Sequence, residues 1–161
     1  MVKLIVAIDL QGNIGRNNDL LFHMKEDMKF FREKTTNNIV VMGYNTWLSL
    51  NEKKLPNREN IVLTDEIIPN VITSNDIFKV INSYKDDDDR DIYIIGGAYV
   101  YNECLRLGVV DEILITIVPT IVEDAEVKID LSLMEGYRKQ EKLKEFVYDE
   151  MKVTIWSWRR W

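Results

Sequence analysis

Short apolar runs recur along the chain and alternate with segments that favour helices. The first run, at 4–8, is almost wholly apolar, which is typical of a strand covered on both faces of a sheet. Further strands are predicted by the runs at 39–42, 61–63, 71–72, 92–95 and 112–118. Intervening helices are predicted at 25–34, 46–50, 76–84 and 99–107. This alternation predicts an α/β fold with a mainly parallel central sheet flanked by helices.

Two segments depart from that alternation. Residues 145–148 and 153–158 are rich in β-branched and aromatic side chains around a short polar turn, which predicts a C-terminal antiparallel hairpin at the sheet edge. Residues 10–24 carry glycines and asparagines without periodicity, which predicts a long functional loop. Asn75 is expected to cap the helix at 76–84. The length of 161 residues fits one domain spanning 1–161.

Composition limits the chemistry. A net charge of -6 disfavours a nucleic-acid surface, which needs clustered Lys and Arg. Cys104 is the only cysteine, so an intramolecular disulfide is excluded and a cytoplasmic location fits. His23 is the only histidine, which disfavours a zinc site or a Ser-His-Asp triad. Because the N-terminal run ends at Asp9, it is too short to span a membrane. We expect a monomer that binds small molecules and holds no metal.

Asp27 is the most informative single residue. It is predicted to share one helix face with Met28 and Phe31 and therefore to turn toward apolar surroundings. A buried carboxylate either finds a partner or serves a site that needs a perturbed acid. Taken alone, the position also fits a first-turn Asp that the helix dipole favours.

Two turns place glycine between a predicted strand and a predicted helix. One contains Gly96 and Gly97, and the other contains Gly43. Backbone N–H groups at a helix N-terminus attract phosphate, and glycine permits close approach of a ligand. Each turn alone is weak evidence, since the GxGxxG fingerprint is absent. Together they suit a dinucleotide with two anchoring regions.

These residues and several others occur in an order that resembles the dihydrofolate reductase family over nearly the whole chain. The matching motifs are Ile5-Val6-Ala7, Gly12-Asn13-Ile14-Gly15, Asp27 with Phe31, Val41-Met42-Gly43 with Thr46-Trp47, Leu55-Pro56 with Arg58, Ile95-Gly96-Gly97, and Thr116. The resemblance implies a dihydrofolate reductase-like fold and hydride transfer from NADPH to 7,8-dihydrofolate. It also implies that antifolates bind.

The resemblance also implies residue roles. Asp27 would hydrogen-bond the pterin, Thr116 would support Asp27, and Phe22 would belong to the catalytic set. The substrate-binding residues would be Ile5, Ala7, Met28, Phe31, Leu50, Leu55, Arg58 and Ile95, with Arg58 on the glutamate carboxylate. The cofactor-binding residues would be Ala7, Ile14, Gly15, Gly43, Thr46, Thr64, Gly96, Gly97, Ala98 and Tyr101. A cis peptide is expected between Gly96 and Gly97.

The chain departs from the family pattern at several positions. Phe22 replaces a Trp whose indole N–H would fix a water. The late Thr-x-Phe-Pro segment is missing, although Asp124 remains available to contact the glycine-bearing loop. Tyr44 stands where an Arg is common, and Asp65 follows Thr64. An Asp there would repel the 2′-phosphate, so we expect weaker discrimination against NADH.

Two other functions compete with this interpretation. A reductase of the same architecture that acts on pyrimidine intermediates of riboflavin synthesis is the closest. Asp27 and Arg58 argue against it, because the resemblance assigns them to a pterin and a carboxylate tail. A binding module that keeps the fold without turnover stays open.

Overall fold

A central eight-stranded sheet organises the computed structural model, which describes residues 1–160. The strands of the described chain are β1 (Val2–Ile8), β2 (Asn13–Arg16), β3 (Asp19–Leu20), β4 (Ile39–Gly43), β5 (Glu59–Leu63), β6 (Ile72–Ser74), β7 (Ile92–Ile94), β8 (Glu112–Ile117), β9 (Val127–Lys128), β10 (Tyr137–Tyr148) and β11 (Met151–Arg160). The order in the large sheet is β10-β11-β8-β1-β7-β4-β5-β6. All neighbours from β8 to β6 are parallel, and β11 and β10 join antiparallel. The predicted α/β fold and C-terminal hairpin are confirmed.

Helices cover both faces of this sheet. They are α1 (Lys25–Thr35), α2 (Tyr44–Ser49), α3 (Ile77–Ser83) and α4 (Ala98–Arg106), with a 3-10 turn at Leu131–Met134. Phe30 of α1 and Trp47 of α2 are buried in one apolar cluster, and Val80 of α3 and Val100 of α4 are buried in another. Alternate residues of each strand supply the two clusters, because successive side chains in a strand point to opposite faces. No helix within residues 1–160 is long and apolar enough to cross a membrane.

The segment predicted as a loop at 10–24 contains regular structure. It forms β2 and β3, which pair with each other and with β9 in a second, three-stranded sheet. Arg16 forms an ion pair with Asp124, and the backbone N–H of Asn17 donates to Glu126. The expected contact of Asp124 with this segment is therefore present.

The predicted cap at Asn75 is wrong by one residue. The helix begins at Ile77, and Asp76 is its N-cap, with a side-chain oxygen accepting from the Phe78 N–H at 2.9 Å. Asn75 instead donates to Asp65 at 3.0 Å. The neighbouring strand also lies slightly later than predicted, at Ile72–Ser74. The difference at the cap arises because carboxylate and amide side chains make equally good caps, so the pattern does not distinguish adjacent Asn and Asp.

Candidate active site

Asp27 lies in the first turn of α1, beside Thr116 near the C-terminal end of β8. The Thr116 hydroxyl of β8 donates to Asp27 Oδ1 at 2.6 Å, which is a short, charge-assisted hydrogen bond. Burial raises the pKa of Asp27 above its ordinary value, although this hydrogen bond and the positive charge of Lys144 act in the opposite direction. A carboxyl group held in this way suits a site that needs an acid with a perturbed pKa.

The residues expected to enclose the substrate largely come together on the sheet face that carries Thr116, the partner of Asp27. Five of them belong to the apolar cluster between the sheet and helices α1 and α2: Ile5, Phe31, Leu50, Leu55 and Ile95. Ala7 lies on the same sheet face, directly opposite Thr116 in the register of β1 and β8. These side chains form one apolar wall beside the carboxyl group, which suits a flat aromatic ring.

Met28 does not share the buried face of α1. Its side chain is 55% exposed, whereas Phe30 is 7% exposed. Met28 lies three residues before Phe31 and therefore beside it on the helix surface, at the exposed margin of the face that Asp27 and Phe31 share. Its contact with substrate stays a prediction.

Arg58 lies beside the apolar wall, at the end of α1. Its guanidinium donates to Thr35 Oγ1 and to the Pro56 carbonyl oxygen, both at 3.0 Å, and stacks 6.0 Å from the centre of the Phe31 ring. Partial burial and the nearby charge of Arg32 lower the pKa of Arg58. Sequence reasoning did not identify Arg32. The two arginines provide a cationic position suited to a carboxylate.

The glycine turns meet where β4 and β7 end side by side. The Gly43 N–H donates to the Gly96 carbonyl oxygen at 2.8 Å, and the Gly96–Gly97 peptide is cis, as predicted. A Cβ on Gly43 would come within 2.8 Å of a Val100 methyl carbon, so only glycine fits without a shift. Thr46 Oγ1 lies 3.3 Å from the ideal Cβ position of Gly96.

These turns fit the phosphates of a dinucleotide. Gly43 and Gly97 are the N-caps of α2 and α4, and neither helix receives a side-chain cap. The first N–H groups of a helix need acceptors, and a phosphate can supply them. The residues of this cradle lack side chains or carry a single hydroxyl group, so a phosphate can approach the backbone closely.

The other residues expected to bind the cofactor come from several elements, and one of them, Tyr101, makes a structural contact of its own. Ala98 begins α4, Ile14 and Gly15 lie in β2, and Thr64 follows β5. Tyr101 is 6% exposed, and its hydroxyl donates to the Ile5 carbonyl oxygen at 2.7 Å. This hydrogen bond joins Tyr101 of α4 to β1, the strand that carries Ile5.

Phe22 packs on the other side of the site. Its ring meets the Tyr148 ring edge to face, with centroids 6.3 Å apart, and it packs against an apolar cluster that contains Met24, Val118 and Val153. Phe22 therefore adds apolar surface next to Ala7, which packs against the same cluster.

Asp9 has a structural role near the site that was not predicted from the sequence, where it only marked the end of the N-terminal apolar run. It is fully buried and accepts hydrogen bonds from the N–H groups of Gln11, Asn13 and Val122, and from the Asn13 side chain. Burial raises its pKa, but these hydrogen bonds outweigh burial and lower it overall. An Asp just after a buried strand and before a Gly turn is the available signal.

Comparisons with known proteins identify the family of this chain. The model of the dihydrofolate reductase family matches residues 1–154. The chain is 32% identical to a dihydrofolate reductase of Ureaplasma parvum, over 98% of this chain and 97% of that protein. It is also 32% identical to a putative dihydrofolate reductase of Caenorhabditis elegans, over 98% of this chain and 96% of that protein. A solved structure of Enterococcus faecalis dihydrofolate reductase, complexed with NADP(H) and RAB-propyl, superposes with a TM-score of 0.83 at 29% identity, covering 99% of this chain and 96% of that one.

Proposed function

Since the chain belongs to the dihydrofolate reductase family and reduces 7,8-dihydrofolate to tetrahydrofolate with NADPH, we propose that Asp27 orients the substrate for that reaction. The observation that carries this role is the Thr116–Asp27 hydrogen bond beside an apolar wall. Thr116 occupies one carboxylate oxygen and fixes the plane of the group. The second oxygen then accepts from the N–H groups of the pterin ring.

The chain supplies a separate position for the substrate tail. Arg58 takes the glutamate α-carboxylate in a bidentate pair, and Arg32 adds a second positive charge there. Phe31, which stacks on Arg58, covers the aromatic ring between pterin and tail. With one end held by Asp27 and the other by Arg58, the ring has little freedom to rotate, which favours the reactive arrangement.

The glycine cradle holds NADPH, which supplies the hydride for the reaction when bound. Gly43, Gly97 and Ala98 offer backbone N–H groups to the phosphates, and Thr46 adds a hydroxyl group. Ala7, Ile14 and Gly15 line the nicotinamide side. A side chain longer than that of Ala7 would narrow the space between the two ligands.

Proton delivery to pterin N5 depends on water near a largely apolar site. Phe22 and the apolar wall exclude most water from the site. Asp27 stabilises positive charge on the pterin ring and so favours protonation of N5, whose proton comes from one of the few water molecules that enter. Phe22 has no N–H group, and therefore it does not fix this water itself.

The decisive experiment follows NADPH oxidation in the presence of dihydrofolate for the parent and for Asp27→Asn. Asn keeps the size of the side chain and its acceptor for Thr116 but loses the charge. We expect hydride transfer to fall by about 10²–10⁴-fold at neutral pH with the fold retained. An antifolate such as methotrexate should block the parent. If Asp27→Asn turned over as fast as the parent, the role of Asp27 would be wrong.

We also propose that this enzyme prefers NADPH over NADH less strongly than is usual for the family. Tyr44 directly follows β4 and Thr64 directly follows β5, and the last residues of these two strands, Gly43 and Leu63, are paired. The negative charge of Glu66 raises the pKa of Tyr44, with a smaller contribution from burial. Asp65 and Glu66 therefore put negative charge where a 2′-phosphate would bind. We expect Tyr44→Arg to raise the ratio of kcat/KM for NADPH over NADH by about 10-fold. Lys79→Met serves as a control for a general charge effect.

The remaining proposals concern the surroundings of the enzyme. We propose that it acts as a cytoplasmic monomer, without nucleic-acid or membrane partners. The proposed substrate and cofactor residues all come from one chain, Cys104 is buried and free, and the net charge is -6. Light scattering at micromolar concentration tests the monomer, and fractionation of cells tests the location.

A further inference from the structure

A row of residues links the active-site carboxyl group to the edge of the sheet. Ala7 of β1 pairs with Thr116 of β8, Thr116 pairs with Ile155 of β11, and Ile155 pairs with Lys144 of β10. Residues directly opposite each other in a sheet project from the same face. Lys144 therefore projects from the face that carries Thr116, over which Asp27 lies.

An irregularity in β10 gives Lys144 this orientation. Lys142 pairs with Trp156, and Lys144 pairs with Ile155, so Leu143 is an extra residue between them. In a regular strand Lys142 and Lys144 would face the same side, because the side-chain period is two. The extra residue places them on opposite faces, in the manner of bulges that redirect side chains near active sites.

The ammonium group of Lys144 is held above α1 by a specific partner. Lys144 Nζ lies 3.0 Å from Glu26 Oε2, and Glu26 directly precedes Asp27 in the helix. The Lys144 side chain is 28% exposed, against 47% for Lys142. This partial enclosure weakens screening by water, so the charge acts over a longer range than a free surface lysine would.

The described groups around Asp27 come from four elements. Thr116 of β8 donates a hydrogen bond to Asp27, Lys144 of β10 contributes positive charge, and Glu26 of α1 pairs with Lys144. The buried phenol of Tyr101 on α4 also interacts with Asp27. Lys144 is the cationic side chain among the groups that affect the pKa of Asp27.

We propose that Lys144 is a positioning residue of this reductase, which keeps Asp27 in its carboxylate form from across the sheet while Glu26 holds the ammonium group in place. The inference rests on the proposed role of Asp27. Burial favours the protonated acid, which cannot stabilise positive charge on the substrate. Lys144 counteracts burial without touching the substrate, because Glu26 holds its ammonium group above α1.

The test compares Lys144→Met with Lys142→Met, which removes the same charge from the other face of the same strand. The first readout is the ¹³C chemical shift of the Asp27 carboxyl carbon against pH, measured without ligands. We expect the Asp27 midpoint to move to higher pH in Lys144→Met and to stay at the parent value in Lys142→Met. Lys144→Arg keeps the charge and should restore the parent midpoint. Lys144→Gln provides a second neutral variant should Met disturb packing, which the melting temperature would reveal.

The second readout is kcat/KM for dihydrofolate at neutral pH. Lys144→Met and Lys144→Gln should lower it by about 3- to 10-fold, the effect of one neighbouring charge at a partly buried site, and Lys144→Arg should recover it. An unchanged Asp27 midpoint in both neutral variants would overturn the inference, even if activity fell. If instead Asp27→Asn kept full activity in the parent background, the proposed function would fail, and the carboxyl titration would still decide whether Lys144 acts on Asp27.

Discussion

At the residue scale, the partly buried carboxyl group of Asp27 reduces the stability of the folded chain at neutral pH. Its pKa is raised by burial, so the folded state binds this proton more tightly than the unfolded state does. The stabilisation that protonation provides is complete below the ordinary carboxyl pKa of 3.8 and is lost as pH rises through the folded value. We therefore expect Asp27→Asn to have a higher free energy of unfolding than the parent at neutral pH, although its activity is lost.

Urea unfolding of both proteins at neutral pH and at about pH 4 measures this effect. The advantage of Asp27→Asn should shrink on acidification, because the parent then carries a neutral acid that resembles the amide. Equal stabilities at neutral pH would mean that Thr116 and Lys144 compensate fully for burial of the charge. Asp27 would then carry no stability cost.

Gly43 makes a second residue-scale prediction, about the space between the two glycine turns. A Cβ there would meet Val100 at 2.8 Å, whereas a Cβ on Gly136 would meet nothing within 4 Å. Gly43→Ala should therefore destabilise the chain by about 1–3 kcal/mol, as overpacking does, and weaken NADPH binding by moving α4. Gly136→Ala is the matched control and should leave both unchanged. Thermal unfolding and titration of NADPH fluorescence measure the two effects, and parent-like binding by Gly43→Ala would remove Gly43 from the cradle.

At the scale of elements, Asp9 fastens the end of β1 to two other segments. It accepts from Asn13 at the start of β2 and from Val122 in the chain that leads to β9. Asp9→Asn replaces an acceptor oxygen by an NH₂ group, which leaves buried donors facing each other. We expect a loss of about 2–3 kcal/mol in the free energy of unfolding.

Hydrogen exchange locates the effect of Asp9→Asn. Amide protection should fall in 11–16 and 122–128 before it falls in the central strands, since the small sheet depends on Asp9 for its attachment. Asp19→Asn is a suitable control, because Asp19 lies in β3 of the same small sheet and its side chain is 64% exposed. A uniform loss of protection over the whole chain would show that Asp9 supports the fold in general and not this attachment.

The elements found from the sequence are those whose hydrophobic pattern is local. The buried run of β1 and the helix that carries Phe30 are recognisable because each has a clear period. The small sheet was not found, because β2 and β9 pair across more than a hundred residues and neither has an apolar pattern. The first half of β10 was missed for a related reason, since most of its side chains at 138–142 are exposed and charged or polar.

The residues of the site show the same difference between local signals, which the sequence displays, and long-range contacts, which it does not. The pairing of Asp27 with Thr116 was predicted from family resemblance, and the close approach of Gly43 to Gly96 follows from two strand ends that lie side by side. Lys144 was not identified, because its orientation depends on the extra residue in β10 and on a register that only the folded sheet defines. Local patterns thus identify groups that act through their own element, and they miss groups that act across several strands.

At the scale of the whole molecule, carboxylates link the parallel strands at their N-terminal ends, opposite the substrate pocket. Lys3 of β1 lies 3.1 Å from Asp91, next to β7, and 3.4 Å from Glu112 of β8. Glu112 also accepts from the Ser157 hydroxyl at 2.5 Å and from Arg159 at 3.0 Å in β11. Glu112, which is 4% exposed, thus links the three neighbouring strands β1, β8 and β11, and Lys3 extends the link to Asp91 next to β7.

Acid should therefore unfold the molecule from the N-terminal ends of these strands. Burial raises the pKa values of Asp91 and Glu112, but their hydrogen bonds and cationic partners outweigh burial and lower both. The stability that they contribute is present above the unfolded values of 3.8 and 4.5 and is lost as pH falls through the lower folded values. We expect the free energy of unfolding to hold from neutral pH to about pH 5 and to fall steeply below about pH 4.

Glu112→Gln isolates the buried acid from the rest of this acid response. The amide still accepts from Ser157 but loses its charge toward Lys3 and Arg159, so we expect a loss of about 1–3 kcal/mol at neutral pH. The gap to the parent should narrow as pH falls through the lowered folded pKa of Glu112, where the parent's acid becomes protonated, and the variant's stability should depend less on pH. Glu141→Gln, an exposed acid on β10, removes the same charge and should follow the parent curve. Urea unfolding of the three proteins across this pH range measures both slopes, and parallel curves for parent and Glu112→Gln would show that the acid response arises elsewhere in the molecule.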